Sequence, residues 1–388
     1  SFDIIEKKSL LPLIYVISHI CVNIYKNYAV NELFDTYIEN LGICFGQLMT
    51  FFVGRLIKYR SKTHQKIKRP FLHYIKDYII LFIISSFYML DLFTESEIQD
   101  IAKMSKEEKN DYSREIFFVY GIEILLITIV SYFWLRIRYY IHHLISIIII
   151  IIVSVIIDIL LDNFSHIHSS SAISIIINFF ADSLIYPYAK YLMERKYYYN
   201  MDILFIYGIF NTIVYFISTI YILVSEYKDG TNAVIFEAFN FYQEYGAWTM
   251  ISQFLIGIIV GGLYLNMLEF LIVEKLSPSY VMIGYEIGLL PSAIAIAMEE
   301  HILLWPLVIM FIVQFVCLLF CLEIFECNFC SLNKNTRKQI YQRAAPQFRH
   351  VSNSTITFKG YDISESIKLQ ELEMIKLERE ESEKEIIV

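Results

Sequence analysis

"FVYGIEILL", residues 118–126, sets one carboxylic acid, Glu123, in an apolar run, and "IGYEIGLL", residues 283–290, does the same around Glu286. Such runs decide the fold class, because crossing a bilayer core takes roughly twenty mostly apolar residues. Followed outward, the two stretches widen into apolar blocks near 116–135 and 280–298. Eight more lie near 10–29, 41–57, 78–93, 141–161, 172–192, 203–224, 247–271 and 301–325. The expectation is an all-α integral membrane protein with ten transmembrane helices. A chain of 388 residues that is 56% hydrophobic, with the apolar residues gathered in blocks, does not read as a soluble domain.

The opening "SFDIIEKKSLLPLIYVISHI" carries lysines before an apolar run but no small-residue cleavage site, so the first helix is expected to stay in place. Lys and Arg set the orientation. With the N-terminus in the cytosol, twenty fall in the inside segments (two at 7–8, seven at 55–69, two at 136–138, three at 190–196, Lys275 and five at 334–349). Six fall outside: Lys26, four in 103–114, and Lys228. Cytoplasmic loops retain basic residues, so both termini are expected in the cytosol.

Block spacing shows a repeat. Helices 1 and 6, 2 and 7, and 4 and 9 start at nearly equal intervals, and a shift of 163 residues lays Gly121-Ile122-Glu123-Ile124 on Gly284-Tyr285-Glu286-Ile287. The same shift lays His19 on Asp182. An odd number of helices per half inverts the second half, a plan of secondary transporters that bind solute near the midplane between halves. The expected units are a first five-helix repeat (1–161), a second (162–332), and a soluble cytoplasmic tail (333–388) with a charged helix.

On these residues the chain resembles the drug/metabolite transporter superfamily. "RIRYYIHHLISIIIIIIVSVIIDILL" (136–161), "YAKYLMERKYYYNMDILFIYGIF" (188–210) and "EKLSPSYVMIGYEIG" (274–288) are similar to its nucleotide-sugar-transporter-like branch. The resemblance implies a ten-helix carrier with a cavity between its halves that works by alternating access.

An ionisable group at the centre of a membrane helix costs about 2.5–3.5 kcal/mol on insertion scales and usually faces a bundle interior or a wet cavity. Glu123, Glu286 and Asp182 are the deep acids, whereas Asp158 and Glu269 lie near helix ends, where snorkelling to the interface is a sufficient reading. Counting about 1.5 Å per residue from opposite faces puts Glu123 and Glu286 on either side of the midplane, about 10 Å apart in height. Two buried acids that gain and lose protons are what proton coupling needs. His19, Asn23, Asn211, Gln253 and Tyr285 complete the candidate pathway, with Gln47, Asn178, Gln314 and Tyr120 as further polar positions. Amides and phenols suit a sugar or an amine, and the lack of a deep Lys or Arg disfavours an anionic solute. Pro291 is expected to kink helix 9, while the glycines of "IGIIVGGLYL" (256–265) read as packing surface.

Other signals are weaker. Cys327 and Cys330 in "ECNFC" form one C-x-x-C, too little for zinc, and read better as a juxtamembrane acylation site. The basic segment 59–69 can touch anionic lipid. The outside loop 95–115 can form a short amphipathic helix that serves as a lid or docks a partner. No phosphate loop, zincin helix or nucleophile elbow occurs, so neither catalytic residue, metal nor cofactor is expected, and neither is nucleic acid.

These observations describe a secondary-active carrier of a small polar solute. The competing reading is a non-transporting, carrier-like subunit of a larger membrane assembly. Its partners would be the lipid bilayer and the solute, with a second copy or a larger assembly left open, and the sequence does not name the membrane.

Overall fold

The computed structural model describes residues 2–25, 36–60, 75–87, 117–137, 139–161, 169–196, 198–229, 246–299, 301–322 and 324. Among these the chain is helical, without strands. In chain order the helices are α1 (Phe2–Ile24), α2 (Thr36–Arg60), α3 (75–87), α4 (Phe117–Leu135), α5 (Ile141–Leu160), α6 (Ser169–Lys196) and α7 (Asn200–Asp229). They are followed by α8 (Ala247–Lys275), α9 (Ser279–Met298) and α10 (Leu304–Cys321). Each apolar block of the sequence falls on one of them. The loop 95–115, Cys327, Cys330 and the tail 333–388 lie outside the described residues.

Five helices, α5, α7, α8, α9 and α10, are long and apolar enough to cross a membrane, and shorter apolar stretches cover Leu10–Ile24 and Val119–Leu135. Apolar side chains face outward while polar ones are buried beside an apolar core. On α5 the buried side carries His142, His143, Ser146, Ser154 and Asp158, while Ile141, Leu144, Ile145, Ile148, Ile152 and Ile159 are exposed. Ile147, Ile150, Val153 and Ile157 are buried with these polar groups, and a helix that turns its hydroxyls and acid inward while exposing apolar side chains is arranged for lipid, where polar groups must find partners inside the bundle. Trp248 and Trp305, 83% and 64% exposed, sit at the starts of α8 and α10, where indoles favour the interface. The chain is a membrane-embedded, multi-pass protein.

The helices of residues 1–327 form one compact unit. α1 packs on α9, and α6 packs on α4; α4 packs on α5, and α9 on α10; α2 meets α7, α4 meets α9, and α5 meets α10. The core at the α1, α4, α6, α9 junction holds Tyr15, Ile124, Ile127, Tyr188, Ile283 and Ile287.

Glycine makes the tightest crossing. Gly42 and Gly46 of α2 lie against Gly257 and Gly262 of α8, and a Cβ on Gly262 would come within 2.6 Å of the Gly46 Cα. The packing role read from "IGIIVGGLYL" is what this contact displays. α8 widens here into a π-helix over Gly257–Leu265, and Asn266 donates its Nδ2 to the Gly261 carbonyl (2.9 Å), which holds the widened turn.

α9 breaks where Pro291 predicts. Pro291 has no N–H to offer the Ile287 carbonyl. Leu289 N bonds Glu286 O at 3.1 Å, a tight turn, and the helix resumes with Ala293 N on Leu289 O. Both α4 and α9 end on a non-glycine residue in the left-handed region, Arg136 and His301, each at φ 55°.

Candidate functional site

The centre is the carboxyl group of Glu286, 0% exposed, in the turn of α9 just before the break. It meets side chains from both halves of the chain. Ser154 of α5 donates its hydroxyl to Glu286 Oε1, and Gln314 of α10 donates its Nε2 to the same oxygen at 2.6 Å. Gln314 Nε2 also lies 3.4 Å from Ser154 Oγ, closing a triangle. Glu286 Oε2 and Gln314 Oε1 have no hydrogen-bond partner among the described residues. The site is thus buried, polar and, among the described residues, incompletely satisfied, the high-stakes state of a buried network.

The break beside it is held by Asn23. Its Nδ2 donates to the Gly288 carbonyl at 2.9 Å, tying α1 to the interrupted turn of α9. His19, one turn earlier on α1, packs so closely on Gly288 that a Cβ there would overlap its own Cβ. Rings continue from this point: Tyr15 and His19 have centroids 4.5 Å apart, His19 and Tyr285 5.1 Å, and Tyr285 and Tyr120 5.3 Å. Four of the sequence candidates, Glu286, His19, Asn23 and Tyr285, therefore gather at the α1–α9 contact.

Glu123 on α4 is also 0% exposed. Its height follows from the antiparallel register of α4 and α9, in which the Thr128 and Ser279 hydroxyls lie 2.9 Å apart and the Tyr120 and Tyr285 rings meet. That register puts Glu123 level with Ile283, three residues or about 4.5 Å from Glu286 along the axis. The separation of about 10 Å expected from helix ends is corrected, because the two helices overlap more deeply than block boundaries imply.

The remaining candidates lie elsewhere. Asn211 of α7 donates to Gln47 Oε1 of α2 at 3.0 Å, a buried amide pair whose Asn211 Oδ1 has no partner among the described residues. Gln253 is buried near the start of α8. Asp182 lies in α6, with its side chain outside the described residues.

Several polar contacts of the interior escaped the sequence. Asp158 is not at the interface but fully buried, and its Oδ1 accepts the Phe117 amide at 3.0 Å, capping the first turn of α4 from the neighbouring helix. Glu269 is no snorkelling side chain either. It takes the Tyr15 hydroxyl on Oε1 (2.8 Å) and the Tyr186 hydroxyl on Oε2 (3.2 Å). Lys190 of α6 is buried and donates to the Glu274 and Leu276 carbonyls at 3.2 and 2.8 Å, capping α8. Asp77 of α3 receives the Lys196 ammonium and the Tyr198 hydroxyl, the latter at 3.2 Å. All of these partners are remote in sequence, so a signal existed only in the residue type. Among the described residues no group of three His, Cys, Asp or Glu could hold a metal ion.

No protein-family model matches the chain, and no curated protein matches it.

Proposed function

We propose that the chain is a secondary-active carrier of a small polar solute. Its ten helices would form two inverted five-helix halves with both termini in the cytosol. Alternating access would be coupled to a proton on Glu286.

The observation that carries this is the Glu286 cluster. A carboxyl group with one open oxygen lies between Ser154 of the first half and Gln314 of the second, one turn from a break in its own helix. Movement of α9 at Leu289 would change which groups the acid faces, and this is how a proton on one residue can be linked to a conformational change. Support for the inverted halves comes from the pairing of α1 with α9 and α6 with α4, α4 with α5 and α9 with α10, and from the left-handed ends of both α4 and α9. The likeness to the drug/metabolite transporter superfamily points the same way. In this reading Glu123, His19, Asn23 and Tyr285 line the pathway with Glu286, no residue is catalytic, and no cofactor is used.

The test is proton movement in proteoliposomes containing a trapped pH-sensitive dye, with neutral sugars, polyols and amines added one at a time outside. A solute that drives a pH change with the native chain and none with Glu286→Gln is the expected result. Solute uptake that ignores an imposed pH gradient and survives both Glu286→Gln and Glu123→Gln would falsify the coupling.

A further inference from the structure

The bases at one end of the bundle fall into two groups. Lys196 is held by Asp77, Lys190 by Glu194 at 2.9 Å, and Lys275 by Glu274. Lys76 of α3, Arg136 just past α4 and Arg195 of α6 are exposed, and among the described residues none of them has an acid partner. These three converge on one aromatic stack. Trp134 lies against Tyr188 and Tyr191, with ring centroids 5.5 and 5.6 Å apart and interplanar angles of 26° and 22°. Arg136 follows this tryptophan closely in the chain, and Arg195 stands one turn beyond Tyr191 on the same side of α6, about 6 Å along the axis. Lys76 precedes Asp77, whose Oδ1 accepts the Tyr188 hydroxyl at 3.4 Å. Arginine keeps its charge at any working pH and pairs with a phosphate through two parallel N–H bonds. The patch is therefore an open, standing positive surface at the end of the spans.

Its neighbours say what kind of phosphate fits. Toward the middle of the bundle, Tyr132 and Phe133 before Arg136, and Ile79, Ile80 and Ile83 after Lys76, are exposed, Phe133 by 75%. Trp134 is itself exposed between the two zones, where an indole favours the membrane interface. An amphiphile with an anionic head on the bases and acyl chains along these apolar side chains uses both zones, whereas a free phosphate ion uses only the first. We propose that Lys76, Arg136 and Arg195, grouped around Trp134, hold the headgroup of an anionic phospholipid. Binding requires no transport and does not rest on the carrier reading.

The experiment is tryptophan quenching in the purified full chain in detergent micelles, titrated with phosphatidylglycerol or phosphatidylcholine carrying brominated acyl chains. Trp248→Phe/Trp305→Phe leaves Trp134 as the reporter, and Trp134→Phe leaves the two tryptophans that begin α8 and α10. Lys190 ties the patch end of α6 to the last residues of α8, so Trp248 lies about 40 Å from it along the α8 axis. Trp134 should be quenched saturably by phosphatidylglycerol at lower concentration than by phosphatidylcholine, and the distant tryptophans equally by both. A base near the headgroups contributes about fivefold, so Arg136→Gln/Arg195→Gln should weaken the response to phosphatidylglycerol about 25-fold and leave that to phosphatidylcholine unchanged. Lys76→Gln should weaken it about fivefold. All three side chains are exposed, and these variants keep the folded bundle. Inorganic phosphate should not displace the lipid. Equal quenching of Trp134 by the two lipids, the same preference at the distant tryptophans, or an undiminished response in the double variant or in Lys76→Gln overturns the proposal. Displacement by inorganic phosphate overturns it too, and makes the patch a site for the free anion.

Discussion

The crossing of α2 and α8 allows a prediction in which the effect of the Gly→Ala change on the unfolded chain cancels. Gly46 and Gly261 both face this crossing, and replacement by Ala restricts the unfolded chain equally at both, a propensity gain of about 0.4–1 kcal/mol that does not depend on helix type. What their new methyl groups meet is different. On Gly46 the added carbon would sit 2.7 Å from the Gly262 Cα and 3.0 Å from the Gly262 carbonyl carbon, both backbone. On Gly261 the nearest atoms belong to the Ile43 side chain, at 2.6 Å from Cγ1 and 3.1 Å from Cδ1. Carbon atoms rest at about 3.5–4.0 Å, so Gly46→Ala must push the two helices about 1 Å further from each other, whereas Gly261→Ala presses on a side chain, whose shift costs less than separating two backbones. Overpacking of the first kind costs about 1–3 kcal/mol. Because the propensity gain is common to both, the difference in stability between the two variants should be of that size. In melting temperature the Gly46→Ala chain should fall roughly 2–10 °C below the Gly261→Ala chain. Thermal unfolding of the two proteins in one detergent, followed by tryptophan fluorescence, measures it. Equal melting temperatures, or a more stable Gly46→Ala chain, would refute the close glycine crossing and the argument from it.

The Asp77–Lys196 pair is nearly dry, the two side chains being 3% and 20% exposed, so Asp77→Asn should destabilise the chain by about 3 kcal/mol. The double variant Asp77→Asn/Lys196→Met should recover some of that loss in denaturant titration, and a double variant no better than the single would count against the pair. Tyr199, between α6 and α7, has its phenol pushed above the ordinary value of 10.0 by burial first, then by Glu274 and Asp202. A group whose folded pKa is raised contributes stability in full below its unfolded pKa and loses it as pH rises through the folded value. The melting temperature of the native chain should therefore fall above about pH 10, and Tyr199→Phe should flatten that fall. An unchanged alkaline limb in the variant would show that Tyr199 does not contribute to it.

The helices were legible because length and apolar content settle them without any knowledge of partners. A run such as 141–161 can satisfy its backbone in lipid only as a helix, and the structure has helix there. The break in α9 was legible for the same reason: Pro291 lacks a donor whatever surrounds it. Distances across the bundle were not legible. The sequence offers no register for α4 against α9, so the height of Glu123 had to be counted from block ends, and the count failed by about one helical turn.

The interior acids show where that limit falls. Asp158 and Glu269 both lie near helix ends, and a position near an end has an economical explanation in snorkelling. What sets them apart is the far side of each contact: Phe117 is 41 residues from Asp158, and Tyr15 is 254 residues from Glu269. A one-dimensional rule can say that an acid is deep, but not whether its nearest neighbour is an amide, a phenol or a lysine. That identity decides the chemistry. An acid on a backbone amide is a cap, an acid on lysine is a latch, and an acid on two phenols is held without a counter-charge. Glu286, bonded to one hydroxyl and one amide with an oxygen open, belongs with the last class by its partners and with the sealed core by its exposure. That combination suits a proton better than a solute, and it is why the coupling role is proposed for Glu286.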